Sequence, residues 1–237
     1  MLLDAHLHVR EENFLQFLIE QKIEALINIA NPIEFQKLNP YLKHPNLHYS
    51  VGIHPWNVEK QSWNEMLPLL ENTPIIGEIG LDSVWCDCDM KLQKLLFEKQ
   101  LAYACQTKKK VILHTKGEEE QILTYLKRYP NTYLVHWYSC MDHLKEYIEL
   151  GCYFTVGPNL SDPAILQVIQ QVNLDHLLIE SDGLSAIAWA KGVPYVSLEE
   201  YLSTLQASIE KIALLKQCSS NEVLAALHQN FKKFIHF

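Results

Sequence analysis

Short apolar runs alternate with segments of helical periodicity along the whole chain. Eight runs rich in branched and aromatic residues have strand length, and each is followed by turn residues and a segment suited to a helix. Repeated strand–helix units predict an α/β fold with a parallel sheet, and eight are the number that a closed (β/α)8 TIM barrel requires. The predicted strands are Leu2–His8, Ala25–Ala30, Leu47–His54, Ile75–Leu81, Val111–His114, Tyr133–His136, Cys152–Val156 and Leu177–Glu180.

Two segments between these strands have the clearest helical patterns. The segment Asp142–Leu150 ends where Gly151 supplies a stop, and Asp162-Pro163 starts a further helix. The other is Lys91–Gln106, in which one stripe is predicted to face the sheet. That stripe consists of Leu92, Leu95, Leu96, Lys99 and Ala102.

The pattern changes after the eighth strand. Gly, Pro and Trp in Gly183–Pro194 favour a long loop, and two helices are then predicted over Ser197–Leu215 and Ser219–Phe234. Ser220 is the predicted cap of the second helix. No linker or repeat divides the chain, so residues 1–237 are expected to form one domain.

Composition adds constraints on location and partners. With 48% hydrophobic and 20% charged residues the chain can form a substantial core, yet its apolar runs are too short to span a bilayer and its N-terminus lacks a secretory pattern. We therefore expect a cytoplasmic protein with reduced cysteines, no membrane contact and no obligate protein partner. A net charge of −8 argues against a broad basic surface, so a phosphate-bearing substrate would need local positive charge such as bound metal.

The first predicted strand contains the pattern His-x-His. His6 and His8 lie on the same face of a strand, roughly 6.6 Å apart along the chain, so both can reach one ion. Imidazole is a common ligand of divalent transition metals. Taken alone, the pair is equally compatible with two partly exposed histidines near a terminus.

Four later strands also end at a possible metal ligand. Glu78 lies on the fourth strand, His114 ends the fifth, His136 ends the sixth, and Asp182 follows the eighth. In a (β/α)8 barrel the carboxyl ends of the strands form the rim of the active site, so ligands distant in sequence converge there. The combination favours a metal site over a coincidence of structural polar residues.

These motifs resemble the TatD family of metal-dependent deoxyribonucleases within the amidohydrolase superfamily. They follow the family's order and extend over most of the chain, from Asp4 to Asp182. The matching segments are Asp4-Ala5-His6-Leu7-His8, Gly52-Ile53-His54-Pro55, Gly77-Glu78-Ile79-Gly80-Leu81-Asp82, Ile112-Leu113-His114, Val135-His136-Trp137-Tyr138-Ser139 and Ile179-Glu180-Ser181-Asp182.

The resemblance implies a site for two divalent ions, which could be Zn, Mg, Mn, Fe or Ni. It implies that His6, His8 and Asp182 hold one ion, that His114 and His136 hold the other, and that Glu78 bridges both. The implied reaction is hydrolysis of phosphodiester bonds in DNA by water that the ions activate. Glu78 and Asp182 are the expected catalytic residues, with Asp182 as proton acceptor or purely as a ligand.

The residues that contact the substrate are harder to infer from the resemblance than the metal ligands. His54 and Lys116 are predicted to contact a phosphate, although His54 is almost as compatible with a structural turn. The family usually has an arginine near the position of Lys116, and lysine keeps the charge without the bidentate fork. Asp82 is expected either to orient a histidine or to cap the next segment.

Three alternatives remain open on the sequence alone. A centre of this kind also suits hydrolysis of an ester, lactone or amide, and a metal-binding scaffold without turnover is a further hypothesis, since Trp137 and the loop after Asp182 depart from the family. Four tryptophans that follow strand ends could stack nucleobases, but packing of loops against the barrel is the favoured interpretation. They are Trp56, Trp85, Trp137 and Trp189.

Overall fold

The computed structural model describes Met1–His236, and Phe237 lies outside the described residues. Eight parallel strands form one sheet in which each strand pairs with its neighbours in sequence order, so the predicted (β/α)8 barrel is confirmed. The strands are β1 (Leu3–Leu7), β2 (Glu24–Ile29), β3 (Leu47–Val51), β4 (Ile75–Asp82), β5 (Lys110–Lys116), β6 (Tyr133–Val135), β7 (Tyr153–Val156) and β8 (Leu177–Ile179).

Helices alternate with the strands and cover the outside of the barrel. They are α1 (Glu12–Glu20), α2 (Pro32–Leu38), α3 (Trp63–Asn72), α4 (Met90–Thr107), α5 (Glu119–Arg128), α6 (Leu144–Glu149), α7 (Pro163–Gln171), α8 (Leu184–Lys191), α9 (Leu198–Lys216) and α10 (Ser220–Ile235). Within the described part of the chain, none is both long and apolar enough to cross a membrane.

The barrel strands are buried on both faces, which explains their continuous apolar sequences. All eight residues of β4 are buried, as are all five of β1. Burial on both faces means that a polar side chain on these strands needs a specific partner. Asp4, His6, Glu78 and Asp82 are such residues, and all four lie at most 2% exposed.

Side chains and loop backbone connect β8 to β1. The backbone N–H of Ser181 donates to Asp4 Oδ1 at 3.0 Å and its hydroxyl donates to Asp4 Oδ2 at 2.5 Å. Tyr201 on α9 donates to the same Asp4 oxygen, and the N–H of Asp182 donates to the carbonyl of His6. We call these contacts the seam between β8 and β1. The seam places the two predicted metal-ligand motifs, one in β1 and one after β8, side by side.

Helix α4 buries a different face from the predicted stripe. Leu95 is 64% exposed, whereas Gln93 and Gln100 are buried. The amide of Gln93 bonds to the backbone N–H and carbonyl of Asp82, and the amide of Gln100 bonds to those of Ile53. The stripe is wrong at Leu95 and Lys99, which are both exposed, because the helix meets the barrel where strand ends present unpaired backbone groups.

Two predictions near the C-terminus are also wrong. The expected loop Gly183–Pro194 contains α8, which begins after Gly183 and ends at Gly192 in the left-handed conformation. The cap of α10 is Ser219 rather than Ser220, since the Ser219 hydroxyl accepts from the Glu222 N–H and the Glu222 carboxylate accepts from the Ser219 N–H. All six cysteines are free thiols, as expected.

Candidate metal centre

The six residues predicted as metal ligands come together at the carboxyl end of the barrel. His6 lies in β1 and His8 just beyond it, Glu78 lies within β4, and His114 lies within β5. His136 follows the last residue of β6, and Asp182 follows β8 by three residues. The strand ends therefore position all six side chains around one point, as barrel geometry requires.

Four of these residues form a first group of ligand atoms. Glu78 Oε2 lies 3.4 Å from both His6 Nε2 and His8 Nε2. Asp182 Oδ1 lies 3.6 Å from the same two nitrogens. Ligand atoms about 2.05 Å from a tetrahedral ion are about 3.4 Å from one another, so these separations fit a shared ion.

The surroundings of His6 support this fit. Its side chain is fully buried, and its Nε2 has no hydrogen-bond partner within the described residues. A buried polar atom without a partner destabilises a fold unless something binds it. Because Nε2 points toward Glu78 and Asp182, a cation between them would satisfy it.

A second group surrounds the other oxygen of Glu78. His114 Nδ1 lies 2.7 Å and His136 Nε2 lies 2.8 Å from Glu78 Oε1. His54 Nε2 lies 3.3 Å from the same oxygen and 3.3 Å from His114 Nδ1. Each oxygen of Glu78 thus faces one group, as a bridging carboxylate would, and an ion in the second group would replace the hydrogen bonds of 2.7 and 2.8 Å.

His54 lines the cavity, and its contact with a phosphate stays a prediction. Its Nδ1 accepts from the N–H of Trp56, which is also the structural turn role left open on the sequence. Burial lowers the pKa of His54 to about 4, so the ring is neutral and its single proton lies on Nε2, which faces the centre as a donor. Nε2 lies near Glu78 and His114, which could hold a metal, but His54 could itself bind an ion there only in the other tautomer.

Charges within the centre are strongly coupled. Burial alone would raise the pKa of Glu78, but His136, His54 and His114 hold it well below its ordinary range. Burial opposes protonation of His136, whereas Glu78 and Glu180 raise its pKa well above the usual value. The centre is thus a buried carboxylate surrounded by imidazoles. This arrangement favours the binding of cations next to the carboxylate.

Asp82 supports the second group by orienting His114, as one of its two predicted roles requires, whereas the helix that follows is capped by Asp89. Its Oδ2 accepts from His114 Nε2 at 2.9 Å and from the Trp56 indole N–H at 2.6 Å. Its Oδ1 accepts from the backbone N–H groups of Val84 and Trp85. If His114 Nε2 donates to Asp82, a neutral ring would keep its lone pair on Nδ1, the nitrogen that faces Glu78 Oε1 and would bind an ion there.

Asp182 is held by the backbone that follows β8. It has a left-handed φ of 54°, and Gly183 follows with a φ of 88°. A Cβ on Gly183 would lie 2.5 Å from the carbonyl oxygen of His8, so only glycine fits here. Burial raises the pKa of Asp182 while His8, His136 and His6 oppose this, and its carboxylate remains 21% exposed toward the cavity.

The centre lies at the base of a cavity of about 660 Å³. Lys116 lines this cavity, and its ammonium group donates to Ser139 Oγ at 2.7 Å and lies 5.5 Å from the centre of the Trp85 ring. Arg10 also lines it and was missed by sequence reasoning, since nothing in the pattern distinguishes it from a surface arginine. The mouth therefore offers two cations to an anionic ligand.

The four loop tryptophans all line the same cavity. The packing interpretation accounts for Trp56, whose indole N–H holds Asp82. Trp85 and Trp189 are 52% and 61% exposed, so packing of loops against the barrel does not account for them.

Comparisons with known proteins identify the family of this chain. The model of a family described as TatD related DNase matches residues 3–236. An uncharacterized metal-dependent hydrolase of Bacillus subtilis is 24% identical over an alignment of 256 positions, gaps included. The alignment covers 98% of this chain and 98% of the relative. A 3'-5' ssDNA/RNA exonuclease of Edwardsiella piscicida is 27% identical over 148 residues, which cover 56% of each chain.

One solved structure shows the same fold over almost the whole length. A TatD homologue from Escherichia coli superposes with a TM-score of 0.83 and 21% sequence identity. The match covers 99% of this chain and 97% of the E. coli chain.

Proposed function

Because the chain belongs to the TatD family of metal-dependent hydrolases, whose model spans residues 3–236, we propose that it hydrolyses phosphodiester bonds of DNA at a two-metal centre. One observation carries this proposal, namely that the two oxygens of Glu78 face two separate groups of ligand atoms. A carboxylate shared in this way suits a pair of ions that acts on one phosphate.

The donor set fits divalent ions. His6, His8, Asp182 and Glu78 would hold one, and His114, His136 and Glu78 would hold the other. When bound, such ions supply Lewis-acid activation of water and neutralise phosphate charge. Imidazole and carboxylate donors accept Zn, Mn, Fe, Ni or Mg, so the donor set leaves the identity of the metal open.

The protein's own residues then have separate tasks. Asp182 accepts the proton of the attacking water, since its carboxylate faces the cavity and its pKa is raised by burial. Lys116 and Arg10 orient the anionic substrate at the mouth. Lys116 is fixed for this purpose by its hydrogen bond to Ser139.

Local charge explains how a protein of net charge −8 accepts DNA. Four acidic residues line the cavity, namely Glu34, Glu78, Asp162 and Asp182. Among the described lining residues, only Lys116 and Arg10 carry a fixed positive charge. The ions would therefore supply much of the attraction for phosphate. The name of one relative, a 3'-5' ssDNA/RNA exonuclease, supports a nucleic acid as the substrate class.

The test compares substrates and variants side by side. Purified protein loaded separately with Mn, Zn or Mg should release nucleotides from a single-stranded oligonucleotide, and it should do so faster than it hydrolyses ester, lactone or amide substrates. His6→Ala and Glu78→Gln should each lower kcat by at least about 100-fold with an unchanged circular dichroism spectrum. Activity confined to carbonyl substrates, or to none of them, would refute DNA hydrolysis.

A histidine outside the site provides the matched control. His176 lies in the turn before β8, where it contacts Asp175. His176→Ala should retain full activity and metal content. If Glu78→Gln also retained its activity, the two-metal centre itself would be wrong.

A further inference from the structure

Three tryptophans from two loops and a helix meet on one side of the cavity. Trp85 follows β4, Trp137 follows β6, and Trp189 lies on α8. The ring centres of Trp85 and Trp189 are 5.7 Å apart at an interplanar angle of 89°, and those of Trp137 and Trp189 are 5.9 Å apart at 71°. We call these three rings the aromatic wall.

The aromatic wall leaves much of its surface uncovered. Trp85 is 52% and Trp189 is 61% exposed, although both rings line a concave cavity. Edge-to-face contacts engage the face of only one ring in each pair, so ring surface remains free. Exposed aromatic surface concentrated in a cavity indicates a place where a ligand binds.

The aromatic wall is anchored at two points beside the candidate metal ligands. The backbone N–H of Trp85 donates to Asp82 Oδ1 at 2.7 Å, and Asp82 also holds His114. Trp137 directly follows His136, its backbone N–H donates to Thr155 Oγ1 at 2.9 Å, and a Cβ on Gly157 would lie 2.8 Å from its ring. The backbone of Trp85 and the ring of Trp137 are thus positioned before a ligand binds, which limits the entropy lost on binding.

A cation accompanies the aromatic surface. The Lys116 ammonium group lies 5.5 Å from the centre of the Trp85 ring while it donates to Ser139. Flat apolar surface beside a positive charge matches a flat base attached to a phosphate. We propose that the aromatic wall stacks one unpaired nucleobase that flanks the scissile phosphate, an inference that rests on the proposed phosphodiesterase function.

An unpaired base fits better than a base within a duplex. Bases in a duplex are stacked on both faces and paired along one edge, so their rings reach an indole only after unstacking. The cavity of about 660 Å³ lies within the usual range for ligand pockets and has room for a single flipped or terminal nucleotide. Stacking engages the face of the base, so we expect little preference for base identity.

The kinetic test removes one base from the substrate. Metal-loaded protein is given single-stranded oligonucleotides that are identical except for an abasic residue placed at each position in turn. At one position next to the cleaved bond, loss of the base should lower kcat/KM by about 5- to 150-fold. Trp85→Ala combined with Trp189→Ala should reduce the ratio of kcat/KM between the intact and the abasic substrate to near one.

Conservative and distant variants serve as controls. Trp85→Phe combined with Trp189→Phe keeps flat rings and should keep most of the preference. Trp63 lies on α3 outside the cavity, where it contacts Tyr103 and Lys99. Trp63→Phe should change neither the preference nor the metal content.

A binding test separates failure of the subsite from failure of the proposed function. Metal-loaded protein is titrated with deoxyadenosine 5'-monophosphate and with deoxyribose 5-phosphate, neither of which contains a phosphodiester bond. The nucleotide should bind about 5- to 150-fold more tightly and quench tryptophan fluorescence. Preferential binding without DNA cleavage would overturn the phosphodiesterase function alone, whereas DNA cleavage with equal binding of both ligands would overturn the subsite.

Discussion

At the scale of single residues, Asp82 connects the metal centre to the substrate cavity. One of its oxygens holds His114 and Trp56, and the other holds the backbone of the loop that carries Trp85. Burial would raise its pKa, but the hydrogen bonds from His114 and Trp85 keep it low and the carboxylate ionised. An ionised acceptor increases the basicity of the imidazole, so Asp82 strengthens metal binding without contacting the ion.

Replacement of Asp82 by asparagine tests this role. Asp82→Asn keeps the shape but removes the charge, and we expect metal affinity to fall about 10- to 100-fold. Isothermal titration with Zn or Mn measures the change directly. Trp56→Phe removes one hydrogen bond to Asp82 and leaves the charge, so it should lower affinity much less. Equal losses in both variants would show that Asp82 acts only by holding the loop.

The sequence alone predicts that the candidate ligands on strands lie close together in the structure. His6, Glu78 and His114 are fixed by strand periodicity, and the barrel then dictates that their ends converge. His54 and Arg10 depend instead on how loops fold over the rim. Nothing in the spacing of residues along the chain determines that His54 approaches His114 to 3.3 Å.

At the scale of elements, prediction from the sequence fails where polar contacts determine how an element packs. The α4 stripe assumed that apolar side chains face the barrel, yet Gln93 and Gln100 do so because Asp82 and Ile53 leave backbone groups to be paired. Helix α8 was mistaken for a loop because glycines border it at both ends. Local sequence cannot reveal which backbone groups a distant strand end leaves unpaired.

The cap of α10 allows a test at this scale with its own control. Ser219 forms a reciprocal capping box with Glu222, whereas Ser220 is the first residue of the helix proper. Ser219→Ala should lower the free energy of unfolding by about 1 kcal/mol, and Ser220→Ala should change it by less than about 0.5 kcal/mol. Urea denaturation of the two variants measures both values, and a larger loss for Ser220→Ala would contradict the assignment.

At the scale of the whole molecule, the seam between β8 and β1 joins fold and function. Asp4 holds Ser181 and Tyr201 across the seam, and His6 accepts from the N–H of Asp182. The candidate ligands His6 and Asp182 thus come from opposite ends of the barrel sequence. An ion between them would add a further link between the first strand and the last.

Metal binding should therefore stabilise the seam more than the rest of the barrel. We expect Zn or Mn to slow amide hydrogen exchange most in β1 and in residues 177–183, because opening of the seam separates His6 and His8 from Asp182 and releases the ion. Strands β2 and β3 contribute none of the six predicted ligands, and their exchange should slow only through global stabilisation. His6→Ala should abolish the local protection while leaving exchange in β2 and β3 as in the metal-free protein. Uniform slowing along the chain would instead mean that the ion stabilises only the fully folded state, without a separate opening of the seam.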